Sequence, residues 1–379
     1  MKKFVELIQR VHKERFSVVM NKIAAEQIPI AFLSLEPVAD AIQIVNNLRE
    51  NGANVTTLIT LYNSVSQKLK INFNIVHIDK VSTMHPRPEY IFVTSFLEAR
   101  VAIKNLPYCK TLNIDKGNTD HIYQTFMNHL LDLQEVYESL IDDNSKRTFY
   151  GYWLSRISNQ MSEIVYSNSA HYLIAGFIPK QGAITFDAGV FDGGTATVFS
   201  EMGYKVYGFE MDRKNFEKVK SIAEEKNFVI ENLSLGSYKH TMRYDAYGNS
   251  GSKWNNKGSE ITQVTTIDAY VREHNLPSVD FIKLDTEGSE LEILKGAKTS
   301  IARYKPILAI SAYHKFDDFW VLMNFIKSIR PDYEFAMRHG AETPEEEPRN
   351  ISQEYADSLY ALGLEPQIRY FGECVLFAR

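Results

Sequence analysis

The stretch Ile184-Thr-Phe-Asp-Ala-Gly-Val-Phe-Asp-Gly-Gly-Thr195 decides the fold class of this 379-residue chain. An apolar strand ends at Asp187, and Gly189, Gly193 and Gly194 follow before a helical pattern begins. Glycine tolerates the dihedrals and the close backbone approach of a sharp strand-to-helix turn. A ligand can then lie against the helix N-terminus with no side chain in its way. Working outward, strands are expected at 183–187, 205–210, 228–232, 279–285 and 307–311, and 367–378 supplies a last hairpin strand. Helical patterns at 195–202, 213–226 and 289–297 fall between them. Strands alternating with helices argue for a parallel sheet with helices packed on it.

Upstream the same alternation occurs on a smaller scale. An amphipathic helix is expected over 1–23, strands at 28–33, 55–60, 74–78, 90–94 and 111–114, and helices at 38–50 and 96–105. After the first of these strands Ser34-Leu-Glu-Pro offers no glycine-rich phosphate cradle. The chain is therefore expected to hold an N-terminal α/β domain (1–119), a helical bridge poor in Pro and Gly (120–172), and a C-terminal α/β domain (173–379). The acidic run Pro344-Glu-Glu-Glu-Pro348 is expected as a solvated loop.

Three further motifs place chemistry on the second series. Val206-Tyr-Gly-Phe-Glu210 ends in a carboxylate 23 residues after Asp187. An acid about 20 residues on, at the end of the second strand, is the expected partner of ribose hydroxyls. Acids at both Asp187 and Asp192 would repel a pyrophosphate, which disfavours a dinucleotide oxidoreductase. They suit a phosphate-free nucleoside with a cationic end, such as S-adenosylmethionine. Val279-Asp-Phe-Ile-Lys-Leu-Asp285-Thr-Glu287-Gly-Ser-Glu290 delivers acids to a strand's carboxyl edge, where ligands bind in open α/β folds. Glu290 reads as a helix-start acid. The group as a whole can orient hydroxyls, take a proton or hold a hard cation. A metal site needs further oxygen ligands that spacing does not identify, and none is assigned. Ile307-Leu-Ala-Ile-Ser-Ala-Tyr-His314 ends another strand in a histidine, a candidate base near its ordinary pKa of about 6.5 that adjacent carboxylates would raise.

These blocks resemble the FkbM-type methyltransferases, which show Asp-x-Gly-Ala-x-x-Gly, a later Phe-Glu-Pro, and Ile-Lys-x-Asp-x-Glu-Gly-x-Glu. Here they stand as Asp187-Ala-Gly-Val-Phe-Asp-Gly193, Phe209-Glu-Met211 and Ile282-Lys-Leu-Asp-Thr-Glu-Gly-Ser-Glu290, with Thr265-Thr-Ile-Asp268-Ala-Tyr and His314 also similar. Met211 replaces the usual proline, and the resemblance covers about 166–379. It implies a seven-stranded Rossmann-like domain with an antiparallel finish, and S-adenosylmethionine as methyl donor. The cofactor would be held by Asp187, Ala188, Gly189, Asp192, Gly193, Thr195, Glu210 and Met211. His314, Asp285 and Glu287 would serve as catalytic residues. It further implies O-methylation of sugars, glycans or other hydroxylated small molecules, as in polysaccharide biosynthesis. The alternatives are a nucleotide-dependent oxidoreductase and a glycan-binding protein without turnover.

Composition agrees with such partners. The net charge is −5, and neither half carries the basic excess expected of a nucleic-acid binder. Apolar runs are too short to span a bilayer, and the N-terminus reads as neither signal peptide nor anchor. Cys109 and Cys374 make no disulfide framework, so free thiols in the cytoplasm are expected. The N-terminal domain is assigned to acceptor recognition or homo-oligomerisation.

Overall fold

The computed structural model describes residues 2–13, 16–35, 38–60, 71–83, 87–94, 98, 102, 106, 109–113, 120–158, 164–165, 167, 171–246, 252–340 and 374–379. Contacts divide the chain into two compact units. The first takes Met1–Leu130 and Arg147–Tyr166; the second takes Leu131–Lys146, Ser167–Gly340 and Gly372–Arg379. The stretch expected as a bridge, 120–172, is thus shared between them. Among the described residues no helix is long and apolar enough to cross a membrane, and both cysteines are free.

In the first unit, β1 (Ile30–Ser34), β2 (Val55–Thr60), β3 (Asn74–His77), β4 (Tyr90–Val93) and β5 (Lys110–Asn113) form a parallel sheet in the order β3-β2-β1-β4-β5. Every residue of β1 is buried, as in a parallel sheet covered on both faces. The expected first helix is two helices, Lys2–Lys13 and Phe16–Glu26. Phe4 stacks on Tyr150 at 4.0 Å and meets the edge of Phe126. No glycine turn follows β1. Instead the buried Glu98 carboxylate accepts the amides of Leu35 (3.0 Å) and Thr94 (2.7 Å), stapling the ends of β1 and β4. The helix expected over 96–105 and the acidic run 344–348 lie mostly or wholly outside the described residues.

The second unit is built on seven strands in the order β15-β16-β14-β13-β6-β7-β8. These are β6 (Ile184–Ala188), β7 (Lys205–Phe209), β8 (Val229–Glu231), β13 (Phe281–Leu284), β14 (Ile307–Ser311), β15 (Phe335–His339) and β16 (Cys374–Ala378). Only β16 runs antiparallel to its neighbours. The hairpin strand expected over 367–378 is described from Cys374 on, and the strand β15 lies outside the sequence expectation. Phe186, Phe209 and Tyr270 pack together on one face, and Phe199 meets Phe281 edge-on at 5.3 Å. Leu140 bridges to Phe335, and Arg338 pairs with Asp142 at 3.0 Å, so the sheet's outer edge is covered. A smaller sheet, β11 (Lys253–Trp254), β10 (His240–Asp245), β12 (Glu260–Thr265) and β9 (Ser234–Leu235), follows β8 in the chain. β6, β7, β13 and β14 pair in parallel, so their carboxyl ends share one edge, and the strand order reverses between β6 and β13.

Candidate active site

The glycine turn follows from how closely two strand ends run. Gly189 has φ +79°, and a Cβ there would stand 1.8 Å from the Asp285 carbonyl oxygen. Only glycine lets the end of β6 lie against the end of β13, where the Asp285 amide donates to the Ala188 carbonyl at 3.1 Å. Phe191 (φ +53°) and Gly193 (φ +88°) complete the turn into the helix Gly194–Glu201. The exposed Asp192 accepts the Gly194 amide at 2.9 Å, and Thr195 stands half-buried in the first helical turn.

Glu210, just past β7, is buried and faces this turn. Its Oε2 accepts the Phe191 amide at 2.9 Å and its Oε1 the Asp212 amide at 2.7 Å. Burial pushes its pKa up to about 7, against the lowering effect of those two amides. The Asn232 amide donates to the carbonyls of Glu210 (2.9 Å) and Met211 (3.3 Å), fixing the backbone there. Asp212 caps the helix Arg213–Lys226 and accepts the Ser252 hydroxyl at 2.6 Å, tying the segment before β11 to the end of β7.

Beneath the turn lies an ion pair that sequence reasoning missed. Lys283 and Asp187 face each other in register across β13 and β6, with Nζ 2.9 Å from Oδ1 and both side chains buried. Lys283 also donates to the Gly189 carbonyl at 2.7 Å and sits 5.2 Å above the Tyr172 ring. Burial alone would drive off its proton, but the charges of Asp187 and Asp285 outweigh that and hold its pKa above the ordinary value. The expectation that Asp187 faces a ligand's ammonium meets a different geometry: its charge is answered inside the fold, and Oδ2 is buried without a donor.

The ends of β13 and β14 bring Asp285, Glu287 and His314 together, as expected. His314 Nδ1 lies 3.0 Å from Glu290 Oε1, and Nε2 lies 3.4 Å from Asp285 Oδ1 and 3.8 Å from Glu287 Oε2. Glu290 turns back to accept the Thr286 amide (2.8 Å) and hydroxyl (3.1 Å), so the acid expected as a helix-start residue also orients the histidine. Glu287 itself adopts φ +53°. Burial disfavours a charged imidazole, but Glu290, Asp285 and Glu287 outweigh it and push the His314 pKa up to about 9. The adjacent carboxylates thus raise it, in the direction their charges predict, and favour the protonated ring.

Tyr172 completes the cluster from outside the expected domain core. Its hydroxyl donates to Asp285 Oδ2 at 2.7 Å and lies 3.3 Å from the Ser311 hydroxyl. Burial works against the charged form of Asp285, yet Lys283, His314 and this hydroxyl hold its pKa below the usual value. The neighbouring His171 is pushed down to about 4, chiefly by burial. Tyr172 and His171 fall within the stretch expected as a bridge. Their aromatic, polar character there was the only signal.

Residues 187–338 match the model of the methyltransferase FkbM domain. The chain is similar to the crystal structure of methyltransferase FkbM from Methylobacillus flagellatus KT, with 18% identity, a TM-score of 0.63 and 99% of each chain covered. That likeness shows the fold. A TehB-like SAM-dependent methyltransferase from Corynebacterium glutamicum is more distant, at 15% identity and a TM-score of 0.26, with 52% of this chain and 80% of that chain covered. No curated protein matches the chain.

Proposed function

We propose, since residues 187–338 match the model of the methyltransferase FkbM domain, that the protein transfers a methyl group from S-adenosylmethionine to a hydroxyl oxygen of a sugar, glycan or related small molecule. The observation that carries this reading is Glu210 facing the glycine turn. Each carboxylate oxygen accepts one amide and keeps acceptor capacity, which suits the two hydroxyls of a ribose. The turn of Ala188, Gly189, Asp192, Gly193 and Thr195 then takes the amino-acid end, and the backbone of Met211 lies beside the nucleoside. Asp187 acts from beneath, holding Lys283 against the turn, while its buried Oδ2 leaves a negative field under a cationic ligand.

When bound, the cofactor supplies a methyl group activated by the adjoining sulfonium. The chain's own task is to hold an acceptor oxygen in line with it and to receive the hydroxyl proton. Asp285, Glu287 and His314 line that side, at the ends of the strands next to β6. His314 orients the acceptor, and the carboxylates accept the hydroxyl's hydrogen bond. The N-terminal α/β unit, which has no phosphate-binding turn, serves acceptor recognition or subunit contact in this scheme.

The test is calorimetry with S-adenosylmethionine, followed by mass spectrometry of reactions with nucleotide sugars and glycans. A product heavier by one CH2 group is expected. Bound nicotinamide in place of S-adenosylmethionine would overturn the reading. Cofactor binding with no labelled product across a broad panel would favour a binding protein.

A further inference from the structure

At the ends of β13 and β14 two carboxylates stand near one imidazole nitrogen. His314 Nε2 stands 3.4 Å from Asp285 Oδ1 and 3.8 Å from Glu287 Oε2. The His314 side chain is 7% exposed, and Nε2 is a buried atom that makes no hydrogen bond. Ligands held about 2.0–2.2 Å from one ion stand roughly 3–4 Å apart, depending on the angle between them. The observed separations fall in that range.

The other ring nitrogen is already committed. Nδ1 lies 3.0 Å from Glu290 Oε1, and Glu290 is 1% exposed and further fixed by the Thr286 amide. A carboxylate that holds the far nitrogen of an imidazole is the usual outer partner of a metal-ligating histidine, because it sets the tautomer and the ring orientation. Asp285, Glu290 and His314 also offer ligand atoms all within 4.8 Å of one another. Of these, Glu290 reaches the far ring nitrogen and Asp285 the near one, where Glu287 also lies 3.8 Å away. Asp285 is steadied in turn by the Tyr172 hydroxyl on its second oxygen.

We propose that His314 Nε2, Asp285 and Glu287 form a binding site for a divalent first-row transition ion, with Glu290 as the residue that orients the histidine. One imidazole nitrogen with two carboxylate oxygens suits ions such as Mn2+, Co2+ or Zn2+ better than Ca2+, which takes oxygen ligands alone. Two carboxylates balance the ion's charge, and Lys283, the cation nearest behind Asp285, is already paired with Asp187. The ion replaces the proton that Nε2 otherwise carries and leaves further positions for water or an acceptor oxygen.

The inference stands apart from the methyl-transfer reading, since binding is measured without turnover. Full-length protein stripped with a chelator is titrated with Co2+, read by its visible absorption, and with Mn2+, read by electron paramagnetic resonance. Saturable binding of one ion per chain is expected, abolished in His314→Ala and Asp285→Asn. Glu290→Gln should weaken it about 10–100-fold. Glu287→Gln, at a partly exposed position, should weaken it as well. Absence of saturable binding in the parent protein would overturn the site. So would unchanged affinity in folded Glu287→Gln and His314→Ala together, which would leave His314 as a purely protein-bound imidazolium.

Discussion

The ammonium of Lys283 lies 2.9 Å from the carboxylate of Asp187, with neither side chain reaching solvent. The pair joins β13 to β6 at the point where the glycine turn begins. Removing one partner of such a pair leaves an uncompensated buried charge. Lys283→Met should therefore lower the unfolding free energy by about 3–5 kcal/mol in a denaturant titration. Asp187→Asn combined with Lys283→Met should cost less than the two single changes added together. A loss below about 1 kcal/mol for Lys283→Met would show that the pair does not hold the sheet edge together.

Gly189 and Gly182 share φ +79°, yet their surroundings differ. A Cβ at Gly182 meets nothing within 4 Å, whereas one at Gly189 would stand 1.8 Å from the Asp285 carbonyl oxygen. Gly182→Ala should cost only the left-handed backbone penalty, about 1–2 kcal/mol. Gly189→Ala must also separate two strand ends and should cost clearly more, beyond about 4 kcal/mol. Thermal unfolding of the two variants side by side separates the clash from the dihedral. Equal losses would mean that the strand ends part easily.

Glu210 links cofactor affinity to pH. With its pKa raised to about 7, the side chain is mostly a neutral acid at pH 6 and mostly a carboxylate at pH 8. If the carboxylate is the form that receives the ribose hydroxyls, affinity for S-adenosylmethionine should rise by about tenfold over that interval and then level off. Glu210→Gln should lose this dependence, and Glu210→Ala should weaken binding by roughly 1.5–3 kcal/mol. Calorimetry at several pH values checks all three. Unchanged affinity in a folded Glu210→Ala protein would sink the ribose assignment.

His314 gathers three carboxylates about one ring, so its loss should be felt in turnover and not in cofactor binding. His314→Ala should bind S-adenosylmethionine normally and transfer methyl groups at least about a hundredfold more slowly, as when one preorganised electrostatic group is removed. The measurement is single-turnover transfer to an acceptor found by the mass-spectrometric panel. Near-parental rates in His314→Ala, with Asp285→Asn and Glu287→Gln inactive, would assign the chemistry to the carboxylates alone.

Strands with apolar runs and a marked end were legible in the sequence. Val55–Thr60, Ile307–Ser311 and the helix Val38–Glu50 fall where the pattern put them, and β6, β7 and β13 differ only at their ends. β15 was not legible, because Phe335–His339 is a five-residue segment without alternation that follows Pro331 and Asp332. The small sheet was hidden for another reason. The outward face of β10 and β12 carries Thr241, Arg243 and Gln263, so the segment reads as a polar loop. At the site, residues at strand ends were found and those acting from within were not. Lys283 looks like an interruption of an apolar strand until register sets it opposite Asp187. Tyr172 reaches Asp285 across 113 residues, a distance that no local pattern spans.

The place of β16 in the sheet has a consequence for biosynthesis. Its residues, 374–378, pair on one side with β14 and on the other with β15, so the strand that joins these two is made after both. Some 35 residues separate the end of β15 from the start of β16. At translation rates of about 5–20 residues per second, β15 leaves the ribosome roughly two to seven seconds before the shared partner, and β14 earlier still. During that interval both present unpaired, largely apolar edges, the kind of template on which chains pair with the wrong neighbour. The nascent chain is thus most exposed to misassociation in that interval, when a holdase that covers strand edges would most improve its yield.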